Sequence, residues 1–238
     1  MSDFSPTKFI VDSRREILER GVVADELLAT DPDCPVFGFN LACAYPFSDS
    51  ALQSYRPLAE RLAVLDPEVY VYPEWKTHVT IITLASFSLH KRPGPELRAQ
   101  LQSLMNPVVE LIRPLLKFPA FELVLGPPVL TRKAAILPIA DATGTIARVR
   151  QTVRTALAAD KTLHAELERN GLNVPAIIHS TILRFKKQPV NLTRFLADFD
   201  AVAATIPPFA IPIHELLLTT ETKPYMRAGE IVHRFPLM

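Results

Sequence analysis

Apolar residues switch repeatedly between a spacing of two and a spacing of three to four along this chain, which predicts a protein of mixed strands and helices. Residues 7–29 carry Ile10, Ile17 and Leu18 along a charged stretch and read as a helical extension that breaks at Gly21. Val36–Tyr45 is apolar and rich in aromatic residues, the mark of a strand, and Pro46 ends it. Leu52, Tyr55, Leu58, Leu62 and Leu65 then recur at helical spacing, with Pro57 expected in the first turn or at a kink. Val69–Tyr72 and Lys76–Leu84 follow as extended segments around Pro73.

A second helical pattern runs through Leu97, Leu101, Leu104, Val108, Leu111 and Leu115, kinked or broken at Pro107. Phe121–Leu125 and Ala134–Ile139 read as strands joined through Gly126, Pro127 and Pro128. Ile146, Val149, Val153 and Leu157 predict one long amphipathic helix from Thr145 to about Arg169, ended near Asn170 and Gly171. Ile177–Phe185 is a strand, Leu192–Val202 a helix, and Ile211–Thr219 with Glu230–Phe235 a final strand pair. The order strand, helix, strand, strand, helix thus recurs with variations, an internal duplication of architecture rather than of sequence.

With 238 residues, 48% of them hydrophobic, the chain has enough apolar surface to bury a substantial core. The 26 basic and 25 acidic side chains nearly cancel, which excludes the broad positive field of a non-specific nucleic-acid binder. Apolar runs are interrupted by charge or proline well short of the roughly 20 residues that span a bilayer. Met1 to Ile10 is too polar to read as a signal peptide. Cys34 and Cys43 are expected as buried thiols, which favours a reducing, cytoplasmic setting.

The candidate chemistry lies in two similar stretches, Thr77-His78-Val79-Thr80-Ile81-Ile82 and Ile178-His179-Ser180-Thr181-Ile182-Leu183. Each sets a His-x-Thr into an aliphatic strand, and the two occupy equivalent places in the two halves. Strand side chains alternate between faces, so each motif projects an imidazole and a hydroxyl about 7 Å apart on one face. Two such strands facing one cleft would set two imidazoles on opposite sides of a tetrahedral phosphorus, with the hydroxyls of Thr80 and Thr181 donating to its non-bridging oxygens. Cleaving a phosphodiester without a metal takes one group to accept a proton and another to give one. Histidine suits both, because its ordinary pKa lies near the operating pH.

Around these motifs the chain resembles the 2H phosphoesterase superfamily, which includes RNA 2′,3′-cyclic phosphodiesterases and 2′,5′ RNA ligase-like proteins. The resemblance covers about residues 35–238. It rests also on the lead-in Tyr72-Pro73-Glu74-Trp75-Lys76, on Ala44-Tyr45-Pro46, on Arg184, and on the ending Ile231-Val232-His233-Arg234-Phe235-Pro236-Leu237. It implies an α+β, two-lobed, pseudo-symmetric fold of antiparallel sheets flanked by helices, with the active-site cleft between the lobes. Residues 1–34 would then be a helical extension on a single two-lobed domain, 35–238. The resemblance further implies metal-independent chemistry, with no cofactor, on 2′,3′-cyclic or 2′,5′-linked phosphates, with His179 as base and His78 as acid, or the reverse for a different substrate, and with Thr80 and Thr181 as hydrogen-bond donors to the phosphate. Arg184 matches phosphate oxygens chemically, yet strict alternation turns it away from His179 and Thr181 unless the strand bends or bulges.

Trp75 and Tyr225, like Tyr45 and Tyr72, have the rings to stack on a nucleobase, although packing is the commoner use of such residues. His164 near Glu166 and Glu168 suggests no metal, since such spacings are commonplace on a charged helix. The expected substrate is a small nucleotide or an RNA terminus, with no DNA and no membrane, and a monomer is expected. The competing readings are a non-catalytic module that captures RNA ends or nucleotides in the same pocket, and a scaffold in which both histidines are structural.

Overall fold

The computed structural model describes residues 6–238; residues 1–5 of the expected extension 1–34 lie outside that range. Helix α1 (Pro6–Arg20) stops where Gly21, at φ +68°, donates its N–H to the Ile17 carbonyl at 2.8 Å. The chain then runs extended, the Val23 and Asp25 amides donating to the carbonyls of Arg132 (2.6 Å) and Phe185 (2.7 Å). The Asp25 side chain caps the short helix α2 (Glu26–Thr30). The first half continues through β1 (Gly38–Cys43), α3 (Asp49–Ala63), β2 (Val69–Val71), β3 (Val79–Ala85), α4 (Pro95–Ser103) and α5 (Met105–Ile112). The second half holds β4 (Phe121–Leu125), β5 (Val129–Leu130), β6 (Ala134–Ala140), α6 (Thr145–Ala159), α7 (Lys161–Arg169), β7 (His179–Phe185) and α8 (Leu192–Ala203). Strands β8 (Phe209–Ile213), β9 (Glu215–Glu221) and β10 (Ile231–Pro236) close the chain. No described helix is long and apolar enough to cross a membrane.

Among the described residues two antiparallel sheets form, a four-stranded one in the order β10-β9-β1-β3 and a six-stranded one in the order β2-β7-β6-β4-β8, with β5 paired to β6. In each, a strand bearing His-x-Thr lies against a central strand: β3 on β1, β7 on β6. The duplicated unit is therefore strand, helix, strand, as β1-α3-β3 and as β6-α6-α7-β7. The segments leading into each motif cross over. Strand β2, which precedes His78, pairs with β7, while Asn173, which precedes His179, bridges Thr83 of β3. This exchange brings β3 and β7 together across the junction of the lobes, and one continuous apolar core containing Leu41 and Ile82 from one sheet and Leu183 and Ile211 from the other joins both.

Several expected elements are cut differently. Pro57 sits inside α3 rather than in its first turn. The helix survives the lost N–H because Leu52, Tyr55, Leu58 and Leu62 are all buried on one face, and packing outweighs the local cost. The pattern over 97–115 is two helices meeting at Leu104, with Pro107 in the first turn of α5, where a missing N–H costs nothing. The single helix expected over 145–169 breaks at Asp160, whose carboxylate accepts the Leu163 N–H at 3.0 Å and starts α7. The expected strand 211–219 is split at His214: β8 joins β4 in one sheet, and β9 joins β1 and β10 in the other.

Candidate active site

The two motif strands are built alike. His78 Nδ1 lies 2.8 Å from the Lys76 carbonyl, and His179 Nδ1 lies 3.3 Å from that of Ile177. A carbonyl only accepts, so each Nδ1 carries the proton and each neutral ring keeps its Nε2 lone pair for the cleft. Thr77 pins the approach to β3: fully buried, its hydroxyl donates to the Glu74 carbonyl at 2.7 Å and accepts the Phe47 N–H at 3.0 Å. Tyr45 stands edge-on to the His78 ring at 6.0 Å.

Both strands carry a bulge just past the threonine. In β7 the register steps from Thr181 (opposite Ile136) to Leu183 (opposite Ala135), so Ile182 has no partner in β6. In β3 it steps from Thr80 (opposite Ala42) to Ile82 (opposite Leu41), so Ile81 is unpaired. Two consecutive buried aliphatics therefore follow each threonine, and the next polar side chain returns to the motif's own face. That side chain is Thr83 in one strand and Arg184 in the other. The working unit is thus His78-x-Thr80-x-x-Thr83 facing His179-x-Thr181-x-x-Arg184.

These six residues line one cleft of about 210 Å³, together with Asn40, Tyr72, Phe87, Glu221 and Tyr225 among others. Arg184 is clamped in place: its Nε donates to the Tyr72 hydroxyl at 3.1 Å, and its guanidinium lies 4.2 Å from the centre of the Tyr225 ring. Tyr225, in the left-handed region at φ +60°, donates its hydroxyl to Asp25. No described residue bonds the Thr80 or Thr181 hydroxyls or the terminal guanidinium nitrogens of Arg184, so all of them are available to a ligand.

Burial is the main force on the titrating groups. It pushes both imidazoles below their ordinary pKa of 6.5, opposed by the carbonyl bonds at Nδ1 and reinforced by neighbouring charge: His179 and Arg184 act on His78, Arg184 and Arg150 on His179. Burial thus biases both rings toward the neutral form. Burial also pushes the Glu221 carboxyl up to about 7, although it accepts the Met226 N–H at 2.7 Å and faces Arg184. Cys43, the last residue of β1, is a fully buried free thiol that burial pushes up to about 12. A larger apolar cavity of about 740 Å³ lies between α1, β4 and α8; its ionisable groups, Arg14 and Asp200, pair with each other, whereas the two histidines line the smaller cleft.

No protein-family model matches the sequence, and no curated protein does. Solved structures do. TT0787 of Thermus thermophilus is 18% identical over 84% of this chain and 97% of its own, with a TM-score of 0.53. LigT of E. coli is 15% identical over 87% and 99%, with a TM-score of 0.52. ATU0111 of Agrobacterium tumefaciens is 14% identical over 84% and 86%, with a TM-score of 0.54. The chain has the 2H phosphoesterase fold.

On that fold the structure brings together His78, His179, Thr80, Thr181, Arg184 and Tyr225. It does not bring Trp75 with them. That ring is 61% exposed on the turn Glu74–Lys76 and is not part of the cleft lining. Tyr225 meets Arg184 and Phe87 rather than standing free to stack on a base. Sequence reasoning missed Thr83, Glu221 and Asn40. Thr83 had a readable signal, the polar residue three places after each motif threonine. Asn40 is the single polar residue of the apolar strand β1 and Glu221 ends β9 after two threonines, and only the register, with Asn40 between Thr83 and Thr219, brings them to the cleft.

Proposed function

We propose that this chain is a metal-independent phosphodiesterase that hydrolyses a 2′,3′-cyclic phosphate or a 2′-linked phosphodiester on an RNA end or small nucleotide. The observation that carries the reading is the pair of tied-back imidazoles on two like-built strands sharing one cleft. LigT, whose fold the chain shares, has been crystallised with 3′-AMP and with NADP+; this supports a nucleotide as the ligand.

In the reaction, His179 Nε2 takes the proton of an attacking water while the new P–O bond forms, and protonated His78 gives its Nε2 proton to the leaving ribose oxygen as the old bond breaks. Solvent then exchanges one proton off His179 and one onto His78. Thr80 and Thr181 donate to the non-bridging oxygens, and the Arg184 guanidinium meets the charge that develops there. A bound phosphate raises the pKa of the imidazoles beside it, which offsets the depression caused by burial and lets one of the two rings hold its proton.

The test is incubation of the purified protein, with EDTA present, with 2′,3′-cyclic nucleotides and with 2′,5′-linked oligoadenylate, the products being resolved by chromatography. His78→Ala and His179→Ala are each expected to lower turnover by roughly 10²- to 10⁴-fold at unchanged melting temperature. Turnover near the wild-type rate in either variant refutes the two-histidine mechanism, and the product identifies the bond broken.

A further inference from the structure

A second pocket, of about 280 Å³, adjoins the cleft. Arg184, Tyr225 and Phe87 line both. Its other wall is the extended N-terminal segment around Asp25, and its rim carries Lys91 and Lys133. Lys91 follows the turn Phe87–Leu89 beside β3, and Lys133 lies in the turn before β6, so the rim draws one ammonium from each lobe. Both side chains are exposed, and neither ammonium has a partner among the described residues. Asp25 is occupied, capping α2 through the Leu28 N–H and accepting the Tyr225 hydroxyl. Glu26 stands exposed at the same rim and is the one acidic group there that no described bond engages.

We propose that this second pocket takes a further phosphoryl group of the same substrate, one nucleoside away from the phosphate held by the histidines, and that Lys91 and Lys133 bind it. The inference rests on the phosphate-cleft reading above. Two free ammonium groups around a concave site continuous with an arginine wall suit an anion, and the shared wall of Arg184 and Tyr225 gives the ligand a short path from one pocket to the other. The chain would therefore prefer a nucleotide phosphorylated or linked at its 5′ oxygen over a bare nucleoside 2′,3′-cyclic phosphate. The N-terminal segment, which closes this pocket, becomes part of the substrate site.

Equilibrium binding of adenosine 3′-monophosphate and adenosine 3′,5′-bisphosphate to the whole protein, measured by calorimetry, tests this without requiring turnover. The bisphosphate is expected to bind about fivefold more tightly or better. In Lys91→Ala/Lys133→Ala the ratio should fall to near one with 3′-monophosphate affinity unchanged, Lys91→Arg/Lys133→Arg should restore it, and Glu26→Gln should raise it. Equal affinities in wild type, no binding of the bisphosphate, or a preference that survives the double alanine variant each overturns the proposal. The rates for adenosine 2′,3′-cyclic phosphate, its 5′-phosphorylated form and the adenylyl dinucleotide cyclic phosphate separate a terminal from an internucleotide phosphate. Hydrolysis without a bisphosphate preference refutes this inference and leaves the phosphodiesterase reading standing; a lysine-dependent preference without hydrolysis does the reverse.

Discussion

Each of the two imidazoles is anchored by a carbonyl two residues before it and shifted toward its neutral form by burial, which bears on pH dependence. The proposed chemistry needs one ring protonated and one neutral, and with both pKa values depressed that state is most populated below the ordinary 6.5. The kcat/KM profile, which reports the free protein, is expected to peak below pH 6.5, and the kcat profile to lie on its alkaline side because bound phosphate raises both values. A kcat/KM optimum above pH 7.5 would contradict the burial argument. Glu221 titrates in the opposite sense. Its folded value of about 7 stands above the ordinary carboxyl value of 4.5, so the folded state holds the proton more tightly; the resulting stability is full below about 4.5 and lost as pH rises through about 7. Glu221→Gln keeps a carbonyl acceptor for the Met226 N–H and removes the titration. Urea unfolding at pH 5 and pH 8 is expected to show the variant gaining on the wild type between the two, by an amount on the order of 3 kcal/mol. An unchanged difference would mean that Glu221 is ionised throughout. His-x-Thr was legible because it joins a titrating ring to a hydroxyl at strand spacing, whereas Glu221 was not, since a lone acid after Leu216-Leu217-Leu218-Thr219-Thr220 says nothing about what its strand lies against.

Elements were legible where apolar spacing was regular and misleading where a break leaves that spacing intact. Leu101, Leu104 and Val108 keep helical rhythm straight through the junction of α4 and α5, so periodicity alone cannot see it. The junction of α6 and α7 did leave a trace: the rhythm of Val153 and Leu157 fails before Leu163 and Leu167 resume it, with Asp160 as a capping residue between. Asp160→Ala is expected to lower stability by about 1 kcal/mol, the ordinary worth of an N-cap, without altering the cleft. Thermal or urea unfolding reads that loss; an unchanged midpoint would show that packing alone holds the bend. The bulges follow the same logic. Period-two alternation turns Arg184 away from His179, but Ile182-Leu183 and Ile81-Ile82 are adjacent aliphatics that cannot both face a core without one extra residue in the strand. The pair of adjacent aliphatics is therefore the sequence trace of the bulge that returns Arg184 to the cleft.

At the scale of the molecule, pairing between the halves matters more than the duplication. Strand β2 belongs to the first half by sequence and to the second sheet by pairing; Asn173 does the converse at Thr83. Strands β8 and β9 leave the two sheets joined through a single residue, His214. None of this was legible, because hydrophobic period states that a segment is a strand and is silent on its neighbour. Its consequence is that neither lobe is complete alone: removing the first half strips β2 from the edge of β7, and removing the second exposes the faces of Leu41 and Ile82 that pack into the common core. Opening one lobe would also part β3 from β7 and with them the two halves of the cleft. The lobes are therefore expected to unfold as one cooperative unit. Native-state hydrogen exchange should give the amides of Leu41 in the first sheet and Leu183 in the second the same opening free energy, equal to that of global unfolding. If Leu41 exchanges through a cheaper opening that leaves Leu183 protected, the two sheets are independent units, and the crossed pairings guide the chain without binding the lobes together.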